Sequence, residues 1–376
     1  MLTFLQGLSD WALVGIPAIL FVLTFVVFFH ELGHFLVARA CGVAIETFSI
    51  GFGGEIYGWT DKKGTRWKIS WLPFGGYVKF LGDENAASMP DRERVEKMNA
   101  TEKTHAYLLK PLWQRAAVSV AGPFANFILA FVVFTLLFSI YGAKVLSTYV
   151  GDVVKGTPAA VAGIRAGDKI AAIDGVPITM FGELQATVQA SKGKTLALDI
   201  ERGGERFVLH ITPGQIDNTD IYGAHLKTLG LGVKPGEPTR ENTVYIPLPL
   251  ERAPILAATQ CWDIVTTTLT YVWRMVSHRA DTSQLSGPIG IAAQAKSAAS
   301  HGFYDLLNLM AFISVSIGLI NLFPIPLLDG GHLLYYACEG VLGRPLNERT
   351  QDVGFRLGLV LVICLMIFAT WNDLVR

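Results

Sequence analysis

Two histidines four residues apart, His30 and His34, flank Glu31 in the run Phe28-Phe29-His30-Glu31-Leu32-Gly33-His34-Phe35. On a helix, positions i and i+4 share a face, so both imidazoles can point at one metal ion. Glu31 lies one position round from His30 and can reach a water on that metal. This H-E-x-x-H spacing belongs to helical zinc sites in which the glutamate acts as general base, so the chemistry it fits is hydrolysis by an activated water. A catalytic zinc takes three protein ligands and keeps one position for water. The third ligand must therefore come from elsewhere, and Asp329 is the candidate. It is the first charge after 23 uncharged residues, and an isolated carboxylate there is costly while one on a metal is not. Just upstream, Asn321 offers an amide to a substrate carbonyl or an oxyanion. Pro324 and Pro326 break the helix and free backbone groups that an extended peptide could satisfy.

The elements that must position these groups are apolar. Of 376 residues, 51% are hydrophobic and 16% charged, against about 25% charged in an ordinary soluble chain. Mean hydropathy is +0.41. Zero net charge gives no basic footprint for nucleic acid. Cys41, Cys261, Cys338 and Cys364 are scattered and form neither a disulfide framework nor a thiolate site. No Lys or Arg precedes the first apolar run and no small-residue cleavage site closes it, so that run is expected to be a retained helix. Uncharged runs predict four spans: Trp11–Phe29, continuing as helix to Ala40, then Ala116–Ala143, Leu306–Leu328 and Leu357–Asn372. Ile255–Val276 carries Asp263 and Arg274 and reads as an amphipathic helix lying at an interface. Lys and Arg crowd the segment between the first two spans, which places that side in the cytoplasm and residues 145–300 outside. His30 lies nine residues before Arg39 and Asp329 ten before Glu339. Each is then roughly 13–15 Å inside the next charge along a helix, so the two can meet at one depth near the cytoplasmic face.

Between the first two spans, alternating aromatics around Asp61-Lys62-Lys63-Gly64 predict a β-hairpin, with a further turn at Pro73-Phe74-Gly75-Gly76-Tyr77. Sheet this apolar beside a span implies a membrane-associated, re-entrant hairpin. Residues 83–105 read as a polar loop. His332 follows two glycines and is expected to turn away from Asp329. Residues 146–235 alternate valine and isoleucine with turns about every ten residues. There, Ala162-Gly163-Ile164-Arg165-Ala166-Gly167-Asp168 followed by Ile173-Asp174-Gly175 resembles a bacterial PDZ domain. Leu229-Gly230-Leu231-Gly232 looks like its carboxylate loop, which implies capture of peptide ends.

Together, His30-Glu31-Leu32-Gly33-His34, Phe74-Gly75-Gly76-Tyr77, Ala121-Gly122-Pro123-Phe124-Ala125-Asn126, a PDZ insert and Asn321…Pro324…Pro326…Asp329-Gly330 resemble the site-2 protease family of intramembrane zinc peptidases (peptidase family M50). The match is to its bacterial regulator-of-sigma-E protease (RseP) type, with room for a single PDZ domain. The resemblance implies Zn2+ on His30, His34 and Asp329, Glu31 as general base and acid, and Asn321 as a substrate-positioning residue. Pro324 and Pro326 join it as candidate substrate-positioning residues through the backbone they free, and Asn126 in the second span reads either as packing between helices or as a further substrate contact. The 48–80 hairpin would hold an extended substrate by strand addition. The implied substrates are the transmembrane segments of single-pass proteins in a bacterial inner membrane, such as an anti-sigma factor already cut by a first-site protease, or signal-peptide remnants. The expected class is a polytopic α-helical membrane protein with a membrane-associated β-hairpin region and an inserted α/β PDZ domain. Its expected divisions are 1–44 (first helix), 45–111 (hairpin and loop), 112–144 (second helix), 145–236 (periplasmic PDZ), 237–304 (interfacial), 305–340 (third segment) and 341–376 (loop and fourth helix). The rival is a membrane-anchored PDZ adaptor with a structural zinc, which would not need Glu31.

Overall fold

Helix α1 (Ile16–Ala40) follows a π-helical turn at Trp11–Gly15 and has Pro17 in its first turn, where a missing N–H costs nothing. The computed structural model describes residues 11–83, 91–219, 225–236, 242–277 and 285–375. Within these, the chain forms two compact units. One comprises residues up to Thr135, Pro254–Thr268 and Leu285 onward; the other comprises Leu136–Ala253 and Leu269–Gln284.

Among the described residues, four helices are long and apolar enough to cross a membrane: Trp11–Ala40, Leu112–Tyr141, Phe303–Asn321 and Arg349–Val375. The chain is thus a polytopic helical membrane protein. The last span is longer than the uncharged run implied. Helix α11 (Glu348–Val375) takes Arg349, Asp352 and Arg356 into its first turns, because a charge ends hydrophobicity but not helical hydrogen bonding. Helix α7 (Ala253–Val276) is not among the four, and it leaves Ile255, Trp262 and Trp273 exposed.

Strands β1 (Ile45–Thr60) and β2 (Arg66–Phe80) are each bent so far that they pair twice: 57–60 with 66–69 and 47–50 with 76–79 run antiparallel, while 47–50 with 66–69 keep a parallel register. Ser49 lies opposite both Lys68 and Tyr77, and Ile50 opposite both Ile69 and Gly76. The lateral order is therefore 57–60, 66–69, 47–50, 76–80. The Pro73–Gly75 stretch, read as a turn, carries β2 from one flank of 47–50 to the other, with Gly75 at φ +117°. Gly76–Phe80 ends up outermost, with an outer edge unpaired among the described strands. The sheet is bound to α1 by a buried cluster of Phe35, Ala38, Val43, Ile45, Phe48, Val78 and Phe80. Phe48 stacks on Trp67 with centroids 4.3 Å apart.

Part of the expected 83–105 loop is helical: α2 (Arg92–Lys97), capped by the Asp91 side chain, and α3 (Ala100–His105), opened by an Asn99/Glu102 capping box. Residues 84–90 of that expectation lie outside the described residues. Helix α4 (Leu112–Tyr141) crosses α1 at Gly33, where a Cβ would stand 2.2 Å from the Ala121 carbonyl oxygen.

In the second unit β3 (Ala143–Leu146), β4 (Val150–Val153) and the short α5 (Pro158–Val161) lead into β5 (Lys169–Ile173) and β6 (Val176–Pro177). These two join through Asp174-Gly175, both at positive φ, as a tight hairpin needs. Then come α6 (Phe181–Ala190), β7 (Leu196–Arg202), β8 (Glu205–Ile211), β9 (Gly214–Thr219), β10 (His225–Gly230), β11 (Val233–Pro235) and β12 (Thr243–Ile246). One antiparallel sheet runs β6-β5-β7-β8, and β4–β11, β3–β12 and β9–β10 pair separately. Ile170, Leu184, Leu198 and Ile200 fill its core.

Back in the first unit, α8 (Pro288–His301) precedes α9 (Phe303–Asn321), and α10 (Asp329–Leu342) follows after a seven-residue break. Several amides freed by that break find local partners: Leu322 N donates to Leu319 O, Phe323 N to Ile320 O, and Leu328 N to Ile325 O. Leu327 has φ 100°.

Candidate active site

His30 and His34 project from one face of α1, and α10 delivers Asp329 as its first residue. His30 Nε2 lies 3.1 Å from Asp329 Oδ2, His34 Nε2 lies 3.4 Å from Asp329 Oδ1, and the two Nε2 atoms are 3.3 Å apart. Zinc bonds to nitrogen and oxygen are about 2.0–2.2 Å, and the edge of a tetrahedron with such bonds is about 3.3–3.6 Å. Each imidazole Nε2 faces a different oxygen of the Asp329 carboxylate, and the three groups are close enough to share one zinc ion. They form a metal-competent triad among the described residues. Two imidazoles and a carboxylate suit zinc and leave the fourth position for water.

Each ring is also held from behind. His34 Nδ1 lies 2.7 Å from the Val118 carbonyl, which can take its proton and leave Nε2 for a metal. Pro123 lies inside α4 and lacks the N–H that would bond the Ser119 carbonyl, on the residue after Val118. His30 Nδ1 lies 3.2 Å from the carboxamide of Asn126, a fully buried residue of α4.

These groups face a cavity of about 190 Å³. Glu31 is on its wall with the histidines. Gly76, Tyr77, Val78 and Phe80, from the outer edge of the sheet, form a second wall, and Asn321, Leu327 and Leu328 a third. Tyr107, Ser119 and Tyr336 bring hydroxyls, with Tyr107 and Tyr336 bonded at 3.0 Å.

Of the residues singled out in the sequence, His30, Glu31, His34, Asn321 and Asp329 meet at this cavity. Asn126 stands behind His30 rather than on the wall. Pro324 and Pro326 are also off the wall, and Pro326 instead backs onto Gly358 of α11. His332 does not turn away. The two glycines are already helical, so His332 sits one turn after Asp329 on α10 and lines the cavity. Recognising Asp329 as a helix start would have placed it there by i, i+3 spacing. Leu229 and Gly230 close β10 in the other unit, where Leu231 is buried. The Leu231 and Gly232 carbonyls are occupied internally, by the Ala159 and Val154 amides.

Residues 18–365 match the family model described as Peptidase family M50. A zinc metalloprotease of Rhizobium meliloti is 43% identical over 359 residues, covering 96% of each chain. One from Agrobacterium fabrum is 42% identical, covering 96% of this chain and 95% of its own. The metalloprotease MmpA of Caulobacter vibrioides is 41% identical over 388 residues, covering 97% of this chain and 96% of its own. Among solved structures, the PDZ domain of an SdrC-like protein from Listeria innocua aligns with 24% of this chain and 94% of its own, at 25% identity and a TM-score of 0.20.

Proposed function

The chain belongs to peptidase family M50, and from that membership we propose that it cleaves the transmembrane segments of single-pass membrane proteins at the His30–His34–Asp329 site. It is a zinc metalloprotease of the site-2 protease kind. The observation that carries the site assignment is the convergence of two imidazole Nε2 atoms and the Asp329 carboxylate within 3.1–3.4 Å, on a cavity shared with Glu31 and with the Gly76–Phe80 edge, which pairs outward with no described strand.

Bound zinc supplies Lewis acidity for the scissile carbonyl and acidity for a coordinated water. Glu31 takes a proton from the attacking water and returns it to the leaving amine. Asn321 donates its amide to the carbonyl oxygen where charge develops. The outer edge of β2 hydrogen-bonds an extended substrate strand, which keeps the peptide unwound with its carbonyls exposed. A helical segment hides those carbonyls, so strand addition is the step that makes a transmembrane peptide cleavable. The rival adaptor reading has no use for a glutamate on the cavity wall.

The Lys and Arg excess between the first two spans supports a cytoplasmic hairpin, a cleavage site near the cytoplasmic face of a bacterial inner membrane, and residues 145–236 on the periplasmic side as a PDZ domain. Substrates with one span and a bulky outer domain would first be trimmed by another protease; anti-sigma factors and signal-peptide remnants fit that description.

The test compares wild type and Glu31→Gln on single-pass substrates in membranes, with products read by mass spectrometry. The variant should keep its zinc and lose at least about 100-fold in cleavage rate. Normal cleavage by Glu31→Gln, or full activity in zinc-free protein, would sink the proposal.

A further inference from the structure

Asn126 lies one helical turn after Gly122 on α4 and is fully buried between helices. Its backbone carbonyl accepts the Ser314 hydroxyl of α9 at 2.9 Å. Its side chain has one polar neighbour among the described hydrogen bonds, His30 Nδ1 at 3.2 Å. With Nδ2 turned to the ring, Oδ1 is left buried without a partner. A buried carboxamide oxygen with nothing to accept is costly, and the nitrogen facing His30 is the wrong kind of atom. A histidine that gives its Nε2 lone pair to a metal carries its proton on Nδ1, and that proton needs an acceptor. The two ends of a carboxamide have the same shape, so a half-turn of the side chain puts Oδ1 where Nδ2 stands. His34 provides the internal comparison, since its Nδ1 meets an oxygen, the Val118 carbonyl.

We infer that Asn126 Oδ1 accepts the Nδ1–H of His30 and thereby fixes the tautomer and ring angle that leave His30 Nε2 for zinc. Asn126 is then a positioning residue acting through His30, rather than a residue that touches substrate. The inference rests on His30 being a ligand, as proposed above. It also explains why two histidines on one helix have unlike supports. Val118 supplies its oxygen from the backbone, which any residue there would do, whereas the support of His30 depends on the side chain at position 126.

The test is zinc affinity of the full-length protein in detergent, by competition with a chromogenic chelator, with the visible spectrum of the cobalt-substituted protein as a second readout. Asn126→Leu, similar in size but unable to accept, should weaken zinc about 10- to 100-fold and alter the cobalt bands. Asn126→Asp keeps an acceptor in place and should stay within a few-fold of wild type. If Asn126→Leu does not fold, Asn126→Val is read in the same way. Wild-type affinity in Asn126→Leu overturns the inference. So does equal weakening in Asn126→Leu and Asn126→Asp, which would mean packing alone. His30→Ala separates the two levels. If it loses zinc while Asn126→Leu does not, the ligand assignment stands and the inference falls. If it keeps zinc, the ligand assignment itself falls.

Discussion

Gly122 of α4 lies so close to the imidazole of His34 that a Cβ built on it would stand 2.2 Å from Nε2. That overlap is with the atom proposed as the metal ligand, on a ring whose other nitrogen is already tied to Val118. The ring has nowhere to retreat without leaving either the Val118 carbonyl or the metal position. Gly122→Ala should therefore lower zinc affinity by more than 10-fold while leaving the helical circular dichroism intact, because alanine is the better helix former. Chelator competition on the purified variant checks this, and unchanged affinity would show that α4 can shift aside.

That relationship also marks where the sequence stopped being legible. His30, Glu31 and His34 were readable from spacing, since a helix alone sets their faces. Asp329 was readable because a single charge ending a long apolar run has few inexpensive explanations. The hairpin was readable from alternation and turn residues. Its double pairing was not, because alternation specifies faces and says nothing about which flank a bent strand uses. Gly122 and Asn126 could be seen as a motif, but their purpose depends on α4 crossing α1 beside the rings, a tertiary fact. Tyr107, Ser119 and Tyr336 look like ordinary residues of loops and helices until α10 brings them together.

Arg115, in the first turn of α4, holds Glu339 on α10 through two bonds of 3.2 and 2.5 Å, and its Nε donates to the Lys110 carbonyl at 3.1 Å. Its guanidinium lies 5.0 Å from the Tyr336 ring centre. This clamp anchors the helix that starts at Asp329. Removing one member leaves the other mostly buried and unpaired, so Glu339→Ala should cost about 3 kcal/mol in unfolding free energy. Denaturant titration in detergent measures it. The charge-swapped double variant Arg115→Glu/Glu339→Arg should recover part of the loss, whereas two independent defects would add.

Leu327, two residues before Asp329, has φ 100°, a region that favours glycine. Such a position costs of order 1–3 kcal/mol. At ordinary sites glycine is less stable than alanine by roughly 0.5–1 kcal/mol, and here the order should invert. Leu327→Gly is expected to unfold at higher denaturant than Leu327→Ala, since both lose the same apolar contacts and only glycine relieves the backbone. The ordinary order, alanine above glycine, would mean that the loop relaxes around position 327 without strain.

Asp168 of the second unit provides a pH prediction. Its side chain is fully buried, accepts the Arg202 guanidinium at 2.6 and 2.7 Å, and accepts the Arg165 amide at 2.8 Å. Burial pushes this carboxyl up, but the Arg202 bonds and the Arg165 amide outweigh it and hold it below the ordinary carboxylate range. An unfolded aspartate titrates near 3.9. A group depressed on folding contributes stability that is complete above its unfolded value and is lost as pH falls through the folded one. Protection of β5 and β7 amides, measured by hydrogen exchange and corrected for the intrinsic pH dependence, should hold from neutral pH down to about 5 and decline below about 4. Arg202→Met should lower protection at neutral pH and flatten the acid decline, because the depressed titration depends on that guanidinium. Protection that rises on acidification of the wild type would reverse the sign and rule out the Asp168–Arg202 pair as its cause.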